Sequence, residues 1–209
     1  MKTKKYKAIV IGGSAGSMEV LIKLFPVLSK KFKLPIIIAC HLHPLDNGGL
    51  VEFFKLQTNL RIKEAEDKEQ IRSGYIYFSP ANYHLLIEQD NTFSLSVDPR
   101  VNYARPSIDV LFESAAVVWA DELIGIILTG ANSDGADGIC AIKRNGGLTI
   151  AQDPSGSAYP VMPQAAIDTE KIDTILCVDE LAIVLQQIDL DIKTKGSHNA
   201  DRQTKNPHS

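Results

Sequence analysis

The chain has 209 residues, 44% hydrophobic and 22% charged, enough apolar matter for one ordinary core and too much for a chain disordered throughout. A net charge of −3 argues against nucleic acid as the main partner, and three cysteines with no CxxC pair argue against a disulfide framework or a structural zinc site. No run approaches the length of a membrane span, and the apolar AIVI behind the basic start MKTKKYK is too short for a signal peptide, so the expected setting is not membrane-inserted, reducing and cytoplasmic.

In chain order, KAIVI reads as a strand, and Val20, Leu21, Leu24, Phe25 and Leu28 then follow at helical spacing. LPIIIAC is a continuous β-branched run, the mark of a strand buried on both faces. GYIYFSP predicts another strand, and HLLIEQDNTFSLSV a hairpin turning at Gln89–Asn91. SIDVLFESAAVVWAD predicts a helix with Ser107 as N-cap. LIGIILTG is a further buried strand, DGADGICAIKRNG a helix ending at Gly146, LTIAQD and TILCV are strands, and DELAIVLQQI is the last helix. No internal repeat interrupts this order. Strand–helix alternation implies a parallel sheet covered on both faces. The expected architecture is a three-layer α/β/α, Rossmann-like domain over residues 1–190, with the hairpin as an antiparallel excursion. Residues 191–209 are expected to be a disordered polar tail.

In such folds ligands bind where strands end and loops lead to helices. The first strand is followed by Gly12-Gly13-Ser14-Ala15-Gly16, the second by His41-Leu42-His43, and LIGIIL by Thr129 to Asp134. A dinucleotide fingerprint begun at Gly12 fails, because its second and third glycines fall on Ser14 and Ser17. A Walker loop fails for want of a GK[ST] ending. Residues 12–16 do fit GxSxG in a strand–turn–helix setting, where small residues leave a serine hydroxyl exposed and the next helix offers N–H groups to an oxyanion. Close strand–helix packing alone would also produce such a turn.

A nucleophilic serine needs a base and a group that orients the base. His41 is the natural base and Asp134 the natural orienter, although Asp134 equally suits an N-cap of the helix after it. Asp137 competes but falls inside the predicted helix. His41-x-His43 could instead supply two metal ligands, with His84 or Asp134 as a third, but no familiar ligand spacing supports that set. Cys40, next to His41, points to the opposite face of an extended segment and belongs to the core.

With these positions placed, residues 6 to 188 resemble the catalytic domain of the chemotaxis protein-glutamate methylesterases, the CheB family. The family's G-A-S-T-G-G is similar to Gly12-Gly13-Ser14-Ala15-Gly16-Ser17, and its Q-H-M-P to Cys40-His41-Leu42-His43, with Pro44 displaced by one. Its L-T-G-M-G-x-D-G-A is matched by Leu128 to Ala136. Ala104 to Phe112, Gly147 to Asp153, and Met162-Pro163 resemble further family blocks. The resemblance implies a triad of Ser14, His41 and Asp134. It also implies hydrolysis of glutamyl methyl esters, and deamidation of some glutamines, on the cytoplasmic helices of chemoreceptors, with no metal or organic cofactor.

The chain departs from the family pattern at Ala15 for threonine, Ser17 for glycine, Cys40 for glutamine and Ala131 for methionine. Those four changes motivate an alternative: a non-catalytic module that binds a receptor or signalling partner through a degenerate esterase site. A general small-ester hydrolase is a third reading. No receiver domain precedes residue 1, so the resemblance predicts a site open from the start or controlled by a separate receiver protein.

Overall fold

The computed structural model describes residues 6–41, 49–58 and 60–188. The expected tail at 191–209 lies outside the described residues, as do His43 and Pro44.

Seven strands form one parallel sheet: β1 (Ala8–Gly13), β2 (Ile36–Cys40), β3 (Arg61–Glu64), β4 (Tyr75–Phe78), β7 (Leu123–Ile127), β8 (Leu148–Gln152) and β9 (Thr174–Leu176). The spatial order is β3-β4-β2-β1-β7-β8-β9. β5 (His84–Ile87) and β6 (Phe93–Ser96) pair antiparallel in a separate two-stranded sheet, which is the expected hairpin. The helices are α1 (Ser17–Leu24), α2 (Gly49–Gln57), α3 (Ile108–Trp119), α4 (Ala136–Arg144) and α5 (Val161–Asp168), with a further helical run over 178–188.

Strand alternation explains the three layers. Ile9 and Ile11 of β1, with Ile36 and Ile38 of β2, pack against Leu21 and Leu24 of α1, Phe54 of α2, and Leu181 and Leu185 of the 178–188 run. Ala8, Val10, Ile37 and Ala39 point the other way, against Leu111, Phe112 and Ala115 of α3, Ile139 and Ile142 of α4, and the hairpin residues Leu85 and Phe93. Both faces of the central strands are therefore apolar, as a doubly covered parallel sheet requires. Truncating Phe112, which is fully buried in the second layer, would cost about 3–5 kcal/mol.

Three elements were not legible as such. β3 reads RIKE, an edge strand with one buried apolar residue. α2 follows residues outside the described set, and α5 carries Pro163, which reads as a helix breaker but sits in the first turn, where its missing N–H has no helical partner to lose.

The order of the sheet positions the site. The chain leaves β1 toward β2 on one side and later returns to its other side as β7. Loops that diverge from the carboxyl ends of strands at such a reversal open a crevice, the usual ligand position in open α/β sheets. Ser14 follows β1, His41 follows β2, and the loop from Thr129 to Asp134 follows β7.

Candidate active site

The β1 end is built for close approach. A Cβ on Gly12 would lie 2.4 Å from Ile108 Cγ2, so the glycine lets the N-terminus of α3 pack directly onto the end of β1. Gly16 holds φ +78 at the entry to α1, a backbone that costs a glycine nothing. Between them the Ser14 N–H donates to the Thr129 carbonyl at 3.0 Å, tying the turn to the loop after β7. Ser17 tightens the same turn. Its N–H donates to the Ser14 carbonyl at 3.0 Å and its hydroxyl to the same oxygen at 2.7 Å. The Ser17 departure thus adds an anchor beneath the serine. Ser14 itself is half-buried, with access to solvent.

Cys40 ends β2 with its thiol 3.7 Å from the Ser17 hydroxyl. Burial pushes that thiol up to about 11, so it is not a thiolate near neutral pH, and it lies in the core as expected.

His41 enters beside Ser14 because β1 and β2 are in parallel register, with Gly13 opposite Cys40; the His41 N–H points to the Gly13 carbonyl at 3.4 Å. Its ring Nε2 lies 2.8 Å from Asp134 Oδ2. The imidazole is 15% exposed and the carboxylate fully buried. Its other nitrogen, Nδ1, has the Asn132 side-chain amide at 3.4 Å.

Asp134 has no exposed surface, yet it is surrounded by donors. Oδ2 accepts from His41 Nε2 and from the Ile108 N–H at 2.7 Å. Oδ1 accepts from the Ser107 hydroxyl at 2.8 Å, and from the Asp109 N–H and Asn102 Nδ2, both at 3.3 Å. Burial alone would raise this carboxyl. The hydrogen bonds from His41, the Ile108 N–H and Ser107 outweigh it and hold the group below the usual carboxylate range. Ionised Asp134 is an acceptor only, so the Nε2 that faces it carries a proton, and Nδ1 is the nitrogen turned toward the Asn132 amide.

Two expectations about capping are corrected. Ser107 occupies the N-cap position of α3, but its hydroxyl caps nothing: it donates to Asp134. Asp134 does not cap α4, the helix after it. It crosses to α3 and takes the Ile108 and Asp109 N–H groups, since an anion at a helix N-terminus is stabilised by the aligned peptide dipoles. Asp137, the competing candidate, is exposed on α4.

His84 is buried and committed on both sides. Its Nδ1 accepts from the Ser107 N–H at 3.2 Å and its Nε2 donates to the Pro99 carbonyl at 3.1 Å. It holds Ser107 in place and has no nitrogen left for a metal. Among the described residues no three His, Cys, Asp or Glu side chains converge on a common point.

Sequence reading missed Asn132, Asn102 and Asp109. Asp109 Oδ1 accepts from the Gly138 N–H and Oδ2 from Asn102 Nδ2, each at 2.7 Å. Burial, with the nearby charges of Asp134 and Asp137, pushes its carboxyl up. The signal was present, because Asp109 lies in the Ala104–Phe112 block, but nothing in that block states what it touches.

Comparison with known proteins places the chain in a family. Residues 9–185 match the family model described as CheB methylesterase. A protein of Leptospira interrogans, provisionally named protein-glutamate methylesterase/protein-glutamine glutaminase, is 48% identical over 184 residues, 88% of this chain and 95% of that one. Relatives from Clostridium acetobutylicum and Pyrococcus horikoshii, which bear that name outright, are 30% and 31% identical over 84% and 86% of this chain. The chain spans about half the length of those two, 51% and 52%. The crystal structure of the Thermotoga maritima CheB methylesterase catalytic domain superposes with a TM-score of 0.84 at 30% identity, covering 88% of this chain and 99% of that one.

Proposed function

The chain belongs to the CheB methylesterase family, and from that premise we propose that it hydrolyses γ-glutamyl methyl esters, and deamidates glutamines, on the cytoplasmic helices of chemoreceptors, using Ser14, His41 and Asp134. The observation that carries this reading is the 2.8 Å contact between His41 Nε2 and buried Asp134, one strand away from Ser14.

The chemistry runs through the ring nitrogen that does not face Asp134, Nδ1, which the Asn132 amide approaches at 3.4 Å and must yield to the Ser14 hydroxyl. His41 Nδ1 takes the Ser14 hydroxyl proton as Oγ attacks the ester carbonyl. The Ser14 N–H is already committed to Thr129, so the oxyanion is left to the amides that follow it, Ala15 and Gly16, at the approach to α1. The proton on Nδ1 passes to the departing methoxide, and methanol leaves. Water, deprotonated by the same nitrogen, then attacks the acyl-serine; its proton returns to Ser14, and the glutamate is released. A glutamine amide follows the same course with ammonia as the leaving group. Asp134 stays ionised throughout and stabilises the imidazolium formed in each half-reaction.

The reading is tested with purified protein, a methylated receptor cytoplasmic fragment and a small methyl ester. Methanol release from the receptor fragment at a far higher kcat/KM than from the small ester is expected. Equal or faster turnover of the small ester would favour a general esterase. Receptor binding without methanol or ammonia release would favour a non-catalytic module.

A further inference from the structure

Asn102 stands between two carboxylates. Its Nδ2 donates to Asp109 Oδ2 at 2.7 Å and faces Asp134 Oδ1 at 3.3 Å. The amide sits on a turn closed by hydrogen bonds between Val101 and Ala104, of 3.2 and 2.8 Å. Within it Asn102 and Tyr103 hold φ values of 50 and 62. Two consecutive non-glycine residues in the left-handed region cost free energy that the surrounding structure must offset, and such sites cluster near function.

We infer that Asn102 is a positioning residue for the triad, an amide clamp bridging Asp109 and Asp134 that keeps Asp134 ionised beside a second buried carboxyl. The inference rests on Asp134 acting through His41, as proposed above. The argument is electrostatic. Asp134 and Asp109 are both at least nine-tenths buried, and two carboxylates so close cannot both ionise without donors between them. Asp134 has its helix N–H groups, Ser107 and His41. Among the described residues Asp109 accepts from the Gly138 N–H besides Asn102. The charges facing Asp109 are Asp134 from the loop after β7 and Asp137 from α4, both negative. The NH2 group carries two hydrogens, one for each carboxylate, so a single side chain screens the repulsion. Without it the pair would take up a proton at higher pH. The negative charge opposite His41 would fall, and the imidazolium would lose stabilisation.

The test compares wild type with Asn102→Gly, Asp109→Asn and the double variant. Glycine keeps the left-handed turn and deletes only the amide. Two readouts are taken: kcat and KM on the methylated receptor fragment, and the His41 titration and tautomer by nitrogen-15 NMR, which needs no substrate. Asn102→Gly should lower kcat about tenfold or more with KM within about twofold, and lower the His41 midpoint, since a lost bond to a charged group is worth about one such factor. In the Asp109→Asn background, where one charge is already gone, the same change should cost less than about threefold and leave the His41 midpoint where Asp109→Asn alone put it. Equal losses in both backgrounds would overturn the clamp. So would a lowered Tm with an unmoved His41 midpoint, which would mark a merely structural residue. If wild type proves inactive on every ester, the esterase reading fails, while the NMR cycle still decides for or against the clamp.

Discussion

His41 and Asp134 lie 93 positions apart in the chain, yet Nε2 and Oδ2 are separated by 2.8 Å. The contact uses Nε2, so in the proposed reaction the nitrogen that acts as base is Nδ1. His41→Ala should therefore be almost as damaging as loss of the serine, and the Ser14→Ala/His41→Ala pair little worse than either alone, because the two act as a unit. His43→Ala should be mild. Steady-state kinetics on wild type and the four variants check this; a severe His43→Ala with a mild His41→Ala would reassign the base.

Gly135 precedes α4 with φ +98, and a Cβ there would lie 2.6 Å from Ile127 Cδ1 and 2.7 Å from Ile108 Cγ2. Gly135→Ala should push Ile108 away from Asp134 while straining the backbone. A loss of about 1–3 kcal/mol in stability is expected, with a fall in kcat larger than any change in KM. Denaturant titration and kinetics measure both. Unchanged stability would mean that the α3 contact adjusts freely.

Asp109 gives a pH signature. Its folded carboxyl is raised, so between the ordinary carboxylate value of about 4 and the raised one the native state binds more protons than the unfolded state. Its contribution to stability is thus largest at low pH and declines as pH rises through that window. The Tm difference between Asp109→Asn and wild type should grow in favour of the variant as pH increases across it. A difference that stays flat with pH would contradict the assignment.

The proposed reaction has no step that needs a metal. Dialysis against a strong chelator should leave turnover unchanged within about twofold, by the same logic that makes the serine route self-sufficient. Zinc bound in proportion to activity would revive a ligand set built on His41.

Much of the fold could be read from the sequence because its information is local. β1, β2 and β7 are each buried on both faces, so AIVI, IIIAC and LIGII are continuous apolar runs between glycines, prolines and polar residues. The same locality hid α5, whose Pro163 is harmless only by its place in the first turn. The positions of Ser14 and His41 at the carboxyl edge of the sheet were legible because each directly follows such a strand. The environment of Asp134 was not. Its partners Ser107, Ile108 and Asn102 lie 27, 26 and 32 positions away, and only the packing of α3 onto Gly12 brings them in. Asn102 adds a second obstacle, since a turn with two left-handed residues, one of them tyrosine, has no sequence signature to announce it.

The most direct test of the central claim, that Ser14 is a nucleophile served by His41 and Asp134, is methanol release from a methylated receptor fragment by wild type and by Ser14→Ala at matched folding. A fall of about three orders of magnitude or more is expected in the variant, with a glutamyl adduct on Ser14 trapped in wild type only. Near-normal methanol release by a folded Ser14→Ala protein would contradict it.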